Sequence, residues 1–348
     1  MIRILCLHIA ENQASYQYRV AQFLPYWKEY GIDVEPICIT SKNYPEKLLI
    51  SLRSREYDYV WLQRKPLSPL FTAMISQNTR LIYDYDDALY AVESYRRTRP
   101  KPTHPGSKQT IRRLKNILKQ SSLVFAGSDA LAEYARKFNP DNTFIIPTAC
   151  SSPPNNPSLP SKADRDLTIG WIGNTGNLYF LSAIDQATAA IQARHPSLRF
   201  SVMSGKTPEG LKTRWDFVPW SKEAEDLWLR SIDIGIMPLE DDEWSRGKCA
   251  FKLLQYMSYG KPVVASAVGE NHRAVIDGKS GFLAFSSLQW EQAIESLVSN
   301  PGLRTSMGKE SLNHFLSTYE RQRVQEHVAM ILHGHVNAGF RKSSDILH

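Results

Sequence analysis

The sequence predicts an α/β fold with two Rossmann-like, doubly wound parallel sheets, and three observations predict it. The chain has 348 residues, more than one hydrophobic core usually supports. Short apolar runs alternate with helical patterns, which is typical of parallel sheets covered on both faces. A stretch rich in proline, serine and asparagine, residues 151–166, interrupts this alternation, which then starts again.

The first half of the chain contains six candidate strands, each of them a short apolar run. The opening run from Ile2 to Ala10 carries Arg3 and His8 and is followed at once by Glu11, so it indicates a buried strand rather than a signal peptide. Helical spacing follows most runs, and the first helix is predicted to end at Gly31. The six predicted strands are residues 4–9, 34–39, 60–62, 81–83, 123–126 and 144–146.

The second half repeats the pattern, and the two halves set the predicted domain boundaries. We expect an N-terminal domain over residues 1–150, a linker over 151–166 and a C-terminal domain over 167–318. A helix over 319–336 is expected to pack back toward the N-terminal domain, followed by a flexible tail over 337–348. The predicted strands of the second half are residues 167–172, 198–203, 217–218, 232–237, 262–265 and 281–284.

Composition excludes two broad classes of protein. Hydrophobic residues make up 42% of the chain and charged residues 22%, which is unlike a disordered chain. No apolar run approaches the roughly 18 to 20 residues that a membrane-spanning helix needs, so we expect a cytoplasmic protein. The four cysteines lie far apart with no metal-ligand spacing, which predicts reduced thiols and no metal site.

The positive charge is concentrated in one segment. Residues 96–119 contain nine lysines and arginines and no acidic residue. Apolar residues from Ile111 to Leu118 fall on one helical face, and Arg112, Arg113 and Lys119 are among the cations on the others. Such a basic amphipathic helix suits an anionic membrane surface, but it equally suits a solvated helix that packs its apolar face on its own domain.

Residues that follow strands are the candidates for ligand binding, because ligands of open parallel sheets lie outside the carboxyl ends of the strands. A turn of small residues follows the first strand of the second half and opens a helix. Glycine in such a turn lets backbone N–H groups approach a phosphate. The residues of this turn are Gly173, Asn174, Thr175, Gly176 and Asn177.

A basic loop further along the second half supports a phosphate site. Arg246 and Lys248 precede a short helix, where two cations and a positive helix end converge on a diphosphate. Lys252 lies one turn after Lys248, on the same helical face. A solvated basic loop would not explain why this charge adjoins a glycine and a core helix.

This region also resembles a known family. The stretch FKLLQYMSYGKPVVAS, followed by GENHRAVIDGKSGFLAF, is similar to a motif of the family-four glycosyltransferases of the GT-B fold. The resemblance implies two domains facing across a cleft, with a nucleotide sugar bound by the second domain and an acceptor by the first. It implies that Arg246 and Lys248 stabilise the departing diphosphate, that no metal or other cofactor is needed, and that the anomeric configuration is retained.

The sequence departs from the family at two glutamates, whose positions correspond to Gly247 and Gln255. Gln255 is still able to bind ribose hydroxyls, although not as an anion. Glu270 and Asn271, on the glycine turn after Ser266, are the predicted substitutes for the missing carboxylates. The turn after the first strand of this domain also lacks the basic residue that the family has there.

The first domain offers candidates for the acceptor side. Asp86 and Asp87 follow a predicted strand where the family often has a histidine and an aspartate that face the sugar; a helix cap is the alternative. Arg19 and Arg64 are expected on the acceptor side by their positions, and a buried ion pair is the alternative for each.

The sequence therefore predicts a glycosyltransferase of cell-surface polysaccharide biosynthesis. Its expected partners are a UDP-, GDP- or dTDP-linked sugar, a glycan or lipid-linked acceptor and an anionic membrane surface, with no nucleic acid. The main alternative is a non-catalytic protein that binds anionic lipid or nucleic acid through residues 96–119. Two others are a metal-dependent glycosyltransferase using Asp84 and Asp86 and a nucleotide-sugar epimerase.

Overall fold

The computed structural model describes residues 1–40, 42–95, 101–153 and 166–344, so most of the predicted linker lies outside the described residues. Within these described ranges the chain forms two six-stranded sheets. It divides into unit 1, which comprises Met1–Tyr90, Lys101–Ala149 and Tyr319–His348, and unit 2, which comprises Ala91–Pro100 and Cys150–Thr318. The α/β fold with two Rossmann-like parallel sheets, predicted from the sequence, is confirmed.

The sheet of unit 1 has the strand order β2-β1-β3-β4-β5-β6, with every neighbouring pair parallel. Its topological switch point lies between β1 and β3. β3 is buried along its whole length, as expected for a strand covered on both faces. The strands are β1 (Ile2–His8), β2 (Ile32–Cys38), β3 (Tyr59–Gln63), β4 (Arg80–Tyr85), β5 (Leu123–Ala126) and β6 (Thr143–Ile145).

Residues at the ends of the unit 1 helices explain where these helices begin and end. The predicted first helix is split at Val20, whose φ of −132° leaves the helical region, into α1 and a 3₁₀ helix (Ala21–Tyr30) that contains Pro25. Gly31 ends the segment with a positive φ of 65°. Asn43 and Glu46 form a capping box at the start of α2. The α-helices are α1 (Ala14–Arg19), α2 (Tyr44–Arg53), α3 (Pro69–Asn78), α4 (Lys108–Gln120) and α5 (Asp129–Arg136).

The sheet of unit 2 has the order β12-β11-β10-β7-β8-β9, again with parallel pairs, and its switch point lies between β7 and β10. Read from β9, this is the order typical of dinucleotide-binding domains. The strands are β7 (Thr168–Ile172), β8 (Arg199–Ser204), β9 (Trp215–Pro219), β10 (Ile234–Met237), β11 (Val263–Ser266) and β12 (Gly281–Ala284).

Helices flank this second sheet. A 3₁₀ helix (Thr175–Ala183) follows β7 directly, and α6 continues from it. Helices α7, α8 and α10 are not apparent from the hydrophobic pattern of the sequence. The α-helices are α6 (Asp185–Arg194), α7 (Lys222–Ser231), α8 (Glu243–Arg246), α9 (Phe251–Ser258), α10 (Asn271–Ala274), α11 (Ser287–Ser299) and α12 (Pro301–Thr318).

The last helix, α13 (Arg321–Ser344), belongs to unit 1. Val324, Val328 and Leu332 are buried in the same hydrophobic core as strand β1. The side-chain amide of Gln325 donates to the Phe23 carbonyl at 3.2 Å. The helix continues to Ser344, so residues 337–344 are helical where the sequence analysis expected a tail, and residues 345–348 lie outside the described residues.

The basic helix α4 uses its apolar face inside unit 1. Leu114, Ile117 and Leu118 are fully buried. Arg112, Lys115 and Lys119 are exposed on the other side of the helix. This is the packing expected of a solvated helix that places its apolar face on its own domain. Residues 96–100 of the basic segment lie outside the described residues.

Candidate functional site

The glycine turn lies at the carboxyl end of β7, beside the switch point of the second sheet. The Gly173 N–H donates to the Met203 carbonyl at 3.1 Å, and the Asn177 N–H closes a turn onto the Asn174 carbonyl at 2.8 Å. Asn174, Thr175 and Gly176 are exposed. The backbone of this turn therefore faces outward at the edge where ligands of such sheets bind.

Lys252 lies against this turn. A Cβ atom on residue 173 would lie 2.6 Å from the Lys252 Cε, so only glycine leaves room for the lysine side chain. The Lys252 Nζ lies 5.4 Å from the centroid of the Trp171 ring. The side chain thus reaches from α9 to the end of β7 and brings together the two segments that carry the candidate phosphate-binding residues.

Lys248 adds a second positive charge. Its Nζ lies 5.2 Å from the Trp244 ring centroid and 5.8 Å from that of Phe180. Among the described residues no carboxylate pairs with Lys248, so its charge is available to an anion. Burial, and secondarily the charge of Lys248, lowers the pKa of Lys252 from 10.5 to about 7. An anion bound here would reverse that shift by favouring the charged lysine.

Arg246 is placed differently from the two lysines. It ends α8, and its guanidinium makes a bidentate pair with Asp241, with Nε–Oδ1 and Nη2–Oδ2 distances of 2.6 and 3.0 Å. Its side chain is 57% exposed. The glycine turn after β11 packs on the backbone of Arg246: a Cβ on Gly269, which has a φ of 53°, would lie 2.5 Å from the Arg246 carbonyl oxygen.

The other predicted donor-binding residues are mostly buried. Gln255 is 5% exposed, and its Nε2 donates to Glu225 Oε1 of α7 at 2.8 Å. Asn271 is 1% exposed, and its side-chain amide donates to the Ser266 carbonyl at 2.9 Å, so this amide holds the turn after β11. Glu270 is also buried, directly before α10. As a substitute carboxylate, Glu270 stays a prediction, whereas the Asn271 amide is already engaged.

On unit 1, Asp86 and Asp87 follow β4. No helix begins there, so the helix-cap alternative is wrong for both. Asp87 forms an ion pair with Arg64, which follows β3 in a left-handed conformation with a φ of 63°. Both side chains keep about a fifth of their surface exposed. The pair therefore lies at the carboxyl edge of β3 and β4, and it is an ion pair of the kind that the sequence offers as the alternative for Arg64, here only partly buried. The acceptor-side role of Arg64 and Asp87 stays a prediction.

Arg19 is not an acceptor-side residue of the kind predicted. Its guanidinium pairs with Asp84 at 2.6 Å, and both side chains are 1% exposed. Arg19 Nη1 also donates to the Ile146 carbonyl at 2.9 Å, and Trp61 Nε1 donates to Asp84 at 3.1 Å. The ion-pair alternative is correct here, because the sheet edge closes over the guanidinium. Asp84 is one of the two carboxylates that a metal-dependent glycosyltransferase would use, and this ion pair already engages it.

Two further residues near the site, Trp220 and Glu225, are not among the candidates from the sequence. Trp220 follows β9 and is 54% exposed, and its indole N–H donates to Glu225 at 2.7 Å. The strand-end rule could have found Trp220, whereas Glu225 lies on α7, which the periodicity did not reveal. No group of three or more His, Cys, Asp or Glu side chains suited to a metal is found within the described ranges. No helix there is long and apolar enough to cross a bilayer.

Comparison with known proteins connects this site with a family. Residues 166–300 match the family model described as Glycosyl transferases group 1. A D-inositol 3-phosphate glycosyltransferase of Arthrobacter sp. (strain FB24) is 32% identical over 89 residues, 25% of this chain and 20% of that protein. The chain thus spans about a fifth of the length of this curated relative.

Solved structures extend the likeness to nearly the whole chain. HepE of Anabaena, solved with UDP and glucose, has a TM-score of 0.70 at 15% identity, over 96% of this chain and 100% of that one. WaaG, a glycosyltransferase involved in lipopolysaccharide biosynthesis, has a TM-score of 0.64 at 14% identity, over 95% of this chain and 99% of that one. The chain therefore has the GT-B fold of these structures, and its residues 166–300 are similar to the group 1 glycosyltransferase domain.

Proposed function

We propose that the protein is a glycosyltransferase that moves a sugar from a nucleotide sugar to a glycan or lipid-linked acceptor. One observation carries the proposal: Lys252 lies against Gly173 at the carboxyl edge of the second sheet, with Lys248 close enough to lower its pKa. Two lysines without carboxylate partners among the described residues, beside an exposed glycine turn, suit a diphosphate. UDP, GDP and dTDP are the candidate leaving groups.

The chemistry requires positive charge at this edge. When the bond between the anomeric carbon and the phosphate oxygen breaks, negative charge grows on that oxygen. Fixed cations stabilise this developing charge more strongly than they stabilise the bound donor, which lowers the barrier. Lys248 and Lys252 are suited to this role, and we infer that the reaction needs no metal ion.

We infer retention of the anomeric configuration. The departing phosphate oxygen accepts the proton of the incoming acceptor hydroxyl on the same face of the sugar, and that hydroxyl oxygen then bonds to the anomeric carbon. Asp86 and the Arg64–Asp87 pair of unit 1 are the proposed acceptor-side groups. They remain partly exposed, unlike Arg19.

We place the activity in cell-surface polysaccharide biosynthesis, at the cytoplasmic face of a membrane. The role described for WaaG supports this setting. The surface of α2, α3 and α4 supports peripheral binding: Leu49 and Leu52 of α2 are 61% and 44% exposed. Burial, followed by the charges of Lys47 and Arg113, lowers the pKa of Lys65, so these cations lie near one another on this surface. Exposed leucines beside cations suit anionic lipid headgroups.

The first experiment is thermal stabilisation of the protein by UDP, GDP, dTDP and ADP. A ligand at about a hundred times its Kd adds roughly 2.7 kcal/mol of stability, which raises the Tm by several degrees. We expect one nucleotide to stabilise the wild type and to lose most of that effect in Lys248→Ala and Lys252→Ala. Lys279→Ala is the control, because this lysine is exposed and pairs with Glu310.

Activity is then measured with the sugar conjugate of the preferred nucleotide, with and without EDTA, and the anomer of the product is read by NMR. We expect transfer that EDTA does not stop, and a retained configuration. An inverted product contradicts retention, and loss with EDTA contradicts metal independence. If no nucleotide stabilises the protein while anionic vesicles or RNA bind it, the non-catalytic binding protein is the better function.

A further inference from the structure

Trp220 presents an aromatic face at the carboxyl edge of the second sheet. Its backbone N–H donates to the Ser204 carbonyl at 2.9 Å, which fixes the residue beside the ends of β8 and β9. The indole N–H donates to Glu225 Oε2 at 2.7 Å, while the side chain keeps 54% of its surface exposed. The indole is therefore held through its N–H, while about half of the side-chain surface stays open.

The carboxylate of Glu225 is only partly used. Oε2 accepts from Trp220 and Oε1 accepts from Gln255 Nε2 at 2.8 Å. An ionised carboxylate offers about four acceptor positions, so two remain. Within the described part of the chain no lysine or arginine forms an ion pair with Glu225, and its side chain is partly exposed. Its charge remains available for hydroxyl donors.

These two residues are connected to the phosphate-binding lysines through α9. Gln255 follows Lys252 by three positions, so the two side chains leave neighbouring points on the same helical face. Lys252 reaches the glycine turn after β7, and Gln255 reaches Glu225. In a nucleoside diphosphate the ribose is bonded directly to the α-phosphate, so a ribose contact beside a phosphate contact matches the covalent structure of the ligand.

We propose that Trp220 and Glu225 bind the nucleoside of the donor: the indole stacks on the base, and the Glu225 carboxylate accepts hydrogen bonds from the ribose hydroxyls. This deepens the proposed glycosyltransferase function and rests on it. Gln255 is a positioning residue, whose amide orients the carboxylate. The carboxylate that the sequence lacks at position 255 is thereby supplied from α7, and hydrogen bonds to a charged acceptor are stronger than those to an amide.

The test measures the Kd of the nucleoside diphosphate that stabilises the wild type most, and of its 2′,3′-dideoxy analogue. We expect the wild type to bind the dideoxy analogue at least tenfold more weakly. Glu225→Gln should weaken the parent nucleotide and reduce that ratio below threefold. Glu223→Gln is the matched control, because Glu223 lies on the same helix and is exposed; it should leave the ratio unchanged.

Trp220→Leu should weaken the nucleotide about five- to a hundredfold, the range expected for loss of one base-stacking contact, and Trp220→Phe should restore most of it. Inorganic pyrophosphate, which has no nucleoside, should bind all variants equally. The exchange variant Glu225→Gln, Gln255→Glu should recover part of the Kd ratio between the dideoxy analogue and the parent nucleotide. Gln255→Ala should lower this ratio while the protein stays folded.

The outcomes separate the two proposals. If none of the four nucleotides binds the wild type, both proposals fail. If the nucleotide binds but Glu225→Gln keeps the full discrimination, or Trp220→Leu binds as tightly as the wild type, only the nucleoside assignment is overturned. Equal weakening of pyrophosphate and nucleotide would also overturn it, because the substitutions would then act on the phosphate site or on folding.

Discussion

A Cβ atom on residue 173 would lie 2.6 Å from the Lys252 Cε, so the glycine of the turn and the lysine of α9 are matched in space. The same Cβ would lie 2.7 Å from the buried ring of Trp171, which cannot move away as a lysine can. The close approach of Lys252 to the backbone after β7 depends on this glycine.

Gly173→Ala should therefore lower both the Tm and the affinity for the donor nucleotide. We expect a loss of about 1 to 3 kcal/mol of unfolding free energy, typical of overpacking a filled site. Gly176→Ala is the control in the same turn, since its Cβ would meet Tyr95 only at 3.8 Å. Equal effects of the two substitutions in thermal melts and nucleotide titrations would contradict this account.

The pKa of Lys252 predicts how nucleotide affinity depends on pH. With a pKa of about 7 in the free protein, Lys252 loses its charge above pH 7, so binding a diphosphate there requires proton uptake. We expect the nucleotide Kd to rise steadily between pH 7 and 9. Lys252→Gln should bind more weakly at pH 7 and show a flatter profile; a wild-type Kd independent of pH would contradict the prediction.

The same lysine predicts a stability trend with the opposite sign. Its folded pKa of about 7 lies below the value near 10.4 expected in the unfolded chain, so the unfolded state binds more protons between these values. Stability of the ligand-free protein should therefore increase from pH 7 toward pH 10, relative to Lys252→Met. Denaturant unfolding of both proteins at several pH values checks this, and parallel curves would contradict it.

Lys248 and Arg246 should differ in their importance for catalysis. Arg246 is exposed and engaged by Asp241, while Lys248 lies over Trp244 and Phe180 with no carboxylate partner among the described residues. Removing a group that stabilises transition-state charge typically costs a factor of about 10² to 10³ in kcat. We expect this loss for Lys248→Ala and less than a tenfold loss for Arg246→Ala. Equal losses of kcat in the two variants would instead support the predicted role of Arg246 in stabilising the departing diphosphate.

The Arg19–Asp84 pair should act on stability and not on acceptor binding. Removing one partner of a buried pair typically costs about 3 to 5 kcal/mol, because the other charge stays buried. We expect Arg19→Met to lower the urea midpoint strongly, while the partly exposed Arg64 gives a much smaller change when substituted by methionine. An unchanged midpoint with a raised acceptor KM would instead support the predicted acceptor role of Arg19.

Membrane binding should depend on the exposed side of α4. Changing Arg112, Arg113, Lys115 and Lys119 to glutamine should weaken binding to vesicles with anionic lipid at least a hundredfold, at about 1 kcal/mol per charge. Raising the salt concentration to roughly 0.5 M should weaken the binding of the wild type to these vesicles to a similar extent. The control changes Arg199, Lys206, Lys212 and Arg214 of unit 2, which are also exposed. Equal binding by both variants would remove the proposal.

The sequence by itself determined the twelve strands and the turns at their carboxyl ends. Most strands are short apolar runs, and burial on both faces of a parallel sheet makes such runs readable without knowing their partners, whereas the edge strands β2 and β9 are only partly buried. The glycine turn at Gly173 could be identified because it directly follows one of these runs, and the basic loop at Lys248 because it precedes a helix of the domain core. Helix α7 was missed, since its first turn is acidic and only Trp228 and Leu229 are buried.

Only the tertiary structure decided which side chains meet. Arg19 and Asp84 are 65 positions apart, and Gln255 and Glu225 are 30 apart, so no local pattern pairs them. The sequence could therefore offer an acceptor contact or an ion pair for Arg19, but could not choose between them. The choice depends on which strands neighbour one another in the sheet, because that order decides whether a charge is enclosed beside its partner or left open to a ligand.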